Sequence, residues 1–127
     1  MDPSKPVKPP PGAQGQIFNI DTTLARLGND RQLFADLIGY YLEDSVSLLD
    51  RIRAELANLD IPSVARAVHS LRGLLSSCDA HDAVRVTARM EEFVRQGDSK
   101  AVVESLPSLE KEIARLREAL MEHRGNQ

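Results

Sequence analysis

From Ile17 to the C-terminus the apolar residues recur at intervals of three and four, and no stretch alternates with a period of two. One apolar stripe per 3.6-residue turn is the mark of an amphipathic helix, whereas a half-buried strand requires alternation, so the chain is expected to be all-α. Asp21 is placed to cap a short helix that stops near Gly28, and Asn29 or Asp30 to cap the next. That next helix is long, with Phe34, Ile38, Tyr41, Leu48, Ile52, Leu56 and Leu59 along one face and Ser45 in the one polar slot. Asp60-Ile61-Pro62 ends it, and Pro62 suits the first turn of a new helix, where its missing amide proton is no loss. Val64, Val68, Leu71, Leu75 and Cys78 mark the third element, and a turn from Asp79 to Asp82 leads to Ala83, Val86 or Thr87, Met90 and Phe93 or Val94, closing at Gly97. Asp98 or Ser99 caps the last element, which carries Val102, Val103, Leu106, Leu109, Ile113, Leu116 and Leu120. Pro107 lies inside it and predicts a kink or brief interruption near Ser105, because its ring removes a backbone bond and crowds the preceding turn. Short connections between long amphipathic helices imply antiparallel neighbours. The expected architecture is an up-and-down four-helix bundle with a short extra N-terminal helix.

Five of the seven prolines fall in the first eleven residues, beside Gly12 and Gly15 and almost nothing apolar. Residues 1–16 are therefore expected to be a flexible Pro-rich linker or tail, and residues 17–124 the helical domain. One cysteine allows no intrachain disulfide, and no apolar run approaches the length of a membrane span or the core of a signal peptide. A soluble, cytoplasmic domain is expected. A net charge of −3 and 4% aromatic residues lack the basic field and stacking rings that nucleic acids require, so neither nucleic acid nor membrane is an expected partner.

Wrapping residues 63–78 on a helix sets His69 about 100° from Val68, off the apolar face. It shares that side with Ala65, Arg66, Arg72, Gly73 and Ser76. Residues three and four apart are neighbours, so this pattern predicts that both guanidinium groups can approach an anion on the imidazole, while Ala65 and Gly73 leave the ring uncovered. An imidazole near its ordinary pKa keeps a neutral lone pair at neutral pH, which makes it a nucleophile toward phosphorus.

The stretch Ala67-Val68-His69-Ser70-Leu71-Arg72-Gly73 resembles the H-x-L-K/R-G signature of histidine-containing phosphotransfer (HPt) domains. Ile17-Phe18-Asn19-Ile20-Asp21 is similar to the family's opening segment, Tyr41-Leu42-Glu43-Asp44 to its second-helix pattern, and Met90-Glu91-Glu92 through Gly97-Asp98 to the end of its fourth helix. The resemblance implies a phosphorelay intermediate of two-component signal transduction. His69 would accept a phosphoryl group from a receiver-domain aspartyl phosphate and pass it to another receiver aspartate. Arg72, where the family often has lysine, would hold the phosphate, with Arg66 in the same role. Gly73 would give clearance to the docking receiver, Ser76 would donate to the ring or phosphate, and Ala65 and Leu74 would border the contact. The resemblance also implies a phosphocarrier, free-standing or part of a hybrid sensor histidine kinase. Asp79 departs from the pattern, since a glycine commonly closes this helix; an aspartate there suits a cap of the helix that follows.

No glycine-rich phosphate loop is present, so ATP-dependent kinase activity is not expected. No bound cofactor or metal is expected either, and the Mg²⁺ of the transfer would come on the receiver. His81 reads as a solvated turn residue, His123 as a partner for a helix C-terminus, Cys78 as a small buried hydrophobe, and Glu91, Glu92, Glu110 and Glu112 as solvated helix faces. The alternative function is a helical docking module that binds a receiver domain or sensor kinase without transferring phosphate.

Overall fold

The computed structural model describes residues 18–125, with the side chains of residues 124 and 125 left aside; the Pro-rich segment 1–16 and Ile17 lie outside the described residues. The helices are α1 (Ile20–Arg26), α2 (Arg31–Ala57), α3 (Ile61–Ser76), α4 (His81–Arg95), α5 (Ser99–Glu104) and α6 (Leu106–Gly125), with no strand among the described residues. α2 packs on α3, α3 on α4, α4 on α6 and α6 on α2, which closes the up-and-down bundle; α1 lies against the start of α2.

Four turns are built alike. At each, a residue in the left-handed region follows a helix: Gly28 (φ 68°), Leu59 (φ 53°), Asp79 (φ 59°) and Gly97 (φ 72°). The next amide reaches back to close the helix, as in Asp60 N–H to Glu55 O (2.9 Å), Ala80 N–H to Leu75 O (3.2 Å) and Asp98 N–H to Phe93 O (3.0 Å). Asp60 and Asp98 then cap the following helix through their side chains, accepting from the amides of Ser63 (3.3 Å) and Ala101 (3.1 Å). One aspartate thus ends one rod and starts the next, so the connections stay short and neighbours run antiparallel. Asp30 caps α2 through the Leu33 amide at 3.0 Å.

Several sequence expectations are corrected by this geometry. Asn19, not Asp21, caps α1, accepting from the Thr22 amide at 3.0 Å; Asp21 sits inside the first turn, where its charge suits the positive helix end. Leu59 leaves the core stripe because it occupies the left-handed turn, and it is 66% exposed. Leu49 is buried where Leu48 was expected, and Leu48 is half-buried at the edge. Val103 is exposed. Thr87 is the buried residue of its pair with Val86, donating its hydroxyl to Val84 O at 2.7 Å. The interruption at Ser105 is present: its amide bonds back to Ala101 and Val102 carbonyls, and α6 begins at the next residue, placing Pro107 in a first turn that does not need its N–H.

Phe34, Ile38, Ile52, Val64, Ala67, Val68, Leu71, Leu75, Met90, Leu109, Ile113, Leu116 and Leu120 form the buried axis. On α3 the run Ala67-Val68 is fully buried and is followed directly by His69, so packing of the helix against α2 and α4 turns the imidazole outward.

Candidate functional site

His69 stands in the middle of α3 with 76% of its side chain exposed. Its ring nitrogen Nδ1 lies 2.9 Å from Oε2 of Glu91 on α4, and Nη1 of Arg72 donates to Oε1 of the same carboxylate at 2.6 Å. Glu91 itself is only 13% exposed. Withdrawal from water works against its charge, but the hydrogen bonds from Arg72 and His69 outweigh that and hold the carboxyl below the usual glutamate range. An ionised carboxylate only accepts, so the ring donates from Nδ1 and the lone pair is left on Nε2. The lone pair is thus on the nitrogen that faces away from Glu91.

Glu91 is the residue sequence reasoning missed. It was expected on a solvated face with Glu92, Glu110 and Glu112; instead it sits half-buried in the seam between α3 and α4. The available signal was its position one residue past the core residue Met90, on the flank of α4 that carries Ala88 and Val84 three and seven residues earlier. Glu92 does remain exposed, paired within its own helix with Arg95.

The two arginines expected to reach an anion on the imidazole differ in their present contacts. Arg66 donates to Ser63 Oγ at 2.9 Å, one turn back along α3, while Arg72 is engaged by Glu91. Gly73 is exposed, and a Cβ built on it would meet nothing within 4 Å. Ala65 and Leu74 are half-buried, Leu74 packing against the core cluster. Ser76, expected to donate to the ring or the phosphate, is exposed and lies about 10 Å farther along the axis than His69, with no side-chain bond to the ring or to Arg72. Among the described residues no three His, Cys, Asp or Glu side chains are grouped as a metal site.

The end of α3 is held by Asp79. Its carboxylate accepts from the Thr23 hydroxyl and from Arg26 Nη1, both at 2.7 Å, and Arg26 also donates to the Ser77 carbonyl. Asp79 therefore closes α3 from the left-handed position and does not cap α4; Ala80 occupies that cap with no side-chain bond. Behind the clamp Cys78 is buried, and burial pushes its thiol up to about 12, which makes it inert packing. His81 is exposed and His123 packs edge-on against Phe18 and Phe34, with ring centroids 6.3 and 5.4 Å apart.

A four-helix bundle whose α3 imidazole faces solvent while a carboxylate from the adjacent helix holds it defines a phosphocarrier class of protein. The family model described as the Hpt domain matches residues 36–119, and the chain belongs to that family. Its role is phosphotransfer in a two-component phosphorelay. The fold is shared with histidine-containing phosphotransfer protein B (HptB) of Pseudomonas aeruginosa PAO1, at TM-score 0.81 and 19% identity over 87% of this chain and 96% of that one. It is shared equally with the HPT domain of a sensor hybrid histidine kinase from Shewanella, at TM-score 0.78 and 17% identity over 88% of this chain and 97% of that one. No curated protein matches the chain significantly.

Proposed function

We propose that His69 is the phosphoacceptor, attacking a receiver-domain aspartyl phosphate through Nε2 and later yielding the group to another receiver aspartate. The observation that carries this reading is the Nδ1 bond to Glu91 at 2.9 Å on a ring that is otherwise open to solvent. It sets the tautomer and leaves the reactive lone pair facing any visitor. Arg72, beside the ring, is the cation placed to meet the transferred group, and Gly73 keeps the next surface position clear.

The receiver is proposed to dock along α2 and α3. Arg53 of α2 pairs with Glu110 of α6 at 2.7 Å, so the opposite edge of the buried stripe of α2, with Leu33, Leu37, Tyr40 and Leu48, borders α3. Leu33 and Tyr40 are exposed there, and on α3 Gly73 is exposed and Leu74 half-buried. A contact at or below about 1,200 Å² suits a relay that must release quickly. The Mg²⁺ of the transfer comes with the receiver, and the domain carries phosphate without drawing it from ATP. The same reading puts the domain on the cytoplasmic side with its cysteine reduced; no helix among the described residues is long and apolar enough to cross a membrane.

Mixing the chain with a phosphorylated receiver tests this. An acid-labile, base-stable phosphoprotein is expected from the native chain and none from His69→Gln. Binding without any transfer by the native chain would favour the docking-module alternative.

A further inference from the structure

We propose that α1 is a latch over the far end of the α2–α3 seam, that it opens as a unit while the long helices stay packed, and that its opening gives small disulfides access to Cys78. The latch divides from the bundle at Gly28 and Asn29, two successive residues in the left-handed region (φ 68° and 62°). Before that joint α1 closes on itself, the Gly28 and Asn29 amides donating to the Ala25 and Leu24 carbonyls. After it, Asp30 caps α2 through the Leu33 amide, so α2 keeps its first turn whether or not α1 is in place.

Seven residues are too few for a helix to persist in water by itself, so α1 is either docked or unfolded. What docks it is small. Phe18, Thr23 and Leu24 are buried, and the polar ties run from Thr23 and Arg26 to the Asp79 carboxylate and from Arg26 to the Ser77 carbonyl. The Arg26 side chain that makes two of these ties is 45% exposed. The long helices instead bury stripes running through several turns, among them Ile38 and Ile52 on α2, Val64 and Leu71 on α3, and Ile113 and Leu120 on α6. An element with few buried side chains and solvent-facing ties opens at a lower free energy than the whole fold.

Cys78 lies between Ser77 and Asp79, the two residues that α1 holds, and faces the hydroxyl of Tyr41 on α2. Both side chains are 1% exposed, and the Tyr41 hydroxyl has no hydrogen-bond partner. A buried hydroxyl without a partner is unfavourable, and water entering the opened seam relieves it. While α1 is in place no reagent reaches the thiol, and burial pushes it up to about 12. With α1 lifted it returns to the range of an exposed cysteine, about 8.5, and thiolate forms. A small disulfide is the oxidant: the thiolate attacks one of its sulfurs, a mixed disulfide forms, and the other sulfur leaves as a thiolate. The added group does not fit a packed seam, so the modified chain stays open until a reductant frees Cys78.

The test mixes the full chain with excess dithiobis(nitrobenzoate) and follows the coloured thiolate released, in buffer and in urea, with urea unfolding of each variant to give its global stability. Native Cys78 is expected to react at least about 100-fold more slowly than in the unfolded chain. Arg26→Ala and Thr23→Val, which loosen the ties, are each expected to speed labelling about tenfold. Ile113→Val, on α6, lowers global stability but is expected to change labelling by less than about twofold. Amide exchange in Arg26→Ala should quicken through α1 while the amides of α2 beyond Phe34 keep their protection. Labelling that follows global stability across the three variants means that Cys78 is reached only by complete unfolding, and overturns the inference. A native thiol that reacts at the unfolded rate overturns it too, as does a rate that Arg26→Ala and Thr23→Val leave unchanged.

Discussion

The hydroxyl of Thr23 and the carboxylate of Asp79 meet at 2.7 Å across fifty-six residues of chain, tying α1 to the closing turn of the histidine-bearing helix. Arg26 joins the same carboxylate and the Ser77 carbonyl, so one arginine satisfies both an acid and an orphan group at a helix C-terminus. A non-glycine residue in the left-handed region costs roughly 1 kcal/mol, and here the side chain that incurs the cost also supplies the bonds that offset it.

Replacing Asp79 separates these terms. Asp79→Ala keeps the unfavourable backbone and loses the partners, and is expected to destabilise the fold by about 2–3 kcal/mol. Asp79→Gly relieves the backbone and should cost about 1 kcal/mol less than alanine. Urea unfolding midpoints of the two variants decide the order; equal losses would show that backbone strain plays no part.

Acid should loosen the clamp and the site together. Burial raises the carboxyl of Asp79, but Thr23 and Arg26 bring it below the usual range, and Glu91 is likewise depressed. A depressed carboxylate stabilises the fold fully above its unfolded value, near 4, and that contribution is lost as the pH falls through the lower folded value. Thermal unfolding is therefore expected to be flat from about pH 7 to 5 with respect to these two groups and to fall below about pH 4. In Asp79→Asn the acid-side drop should be shallower than in the native chain.

Gly73 gives opposite signs for stability and activity. It lies inside α3, exposed, with open space where a Cβ would stand, so Gly73→Ala should stabilise the helix by up to about 1 kcal/mol. Transfer from a phosphorylated receiver should nonetheless slow, because the added methyl projects from the proposed docking face. A variant that is both more stable and fully active would remove Gly73 from the docking face.

Arg72 and Arg66 should separate just as their contacts do. Hydrogen bonds to charged groups are worth about 1.5–3 kcal/mol, so Arg72→Ala is expected to lower the rate of phosphoryl transfer by about 10- to 100-fold. Arg66→Ala, which loses a bond to Ser63 and an attraction to Asp60, should change the rate by less than about threefold. Single-turnover measurements with one receiver distinguish the two.

Local rules made most of the bundle legible from the residues. Three- and four-residue spacing located the helices, Asp30, Asp60 and Asp98 marked their starts, and Pro107 marked the break at Ser105. The outward direction of His69 followed from its neighbour Val68. What was not legible depended on contacts between helices. Glu91 lies twenty-two residues from His69 in sequence, and only the packing of α4 against α3 turns it from a surface acid into a partner. Arg66 and Arg72 share a side of one helix on paper, yet Ser63 and Glu91 draw them apart. Leu59 and Asp79 were misplaced because a left-handed turn residue other than glycine is set by the chain closing around it, not by its own preference.

Because the imidazole and its carboxylate come from different helices, the chemistry inherits the register of the bundle. A slip of α4 past α3 by one turn is about 5.4 Å, enough to pull a 2.9 Å bond beyond the reach of hydrogen bonding. Reactivity at this surface thus gauges the alignment of two rods, and an amino-acid change deep in their shared seam can silence the carrier while leaving the molecule folded.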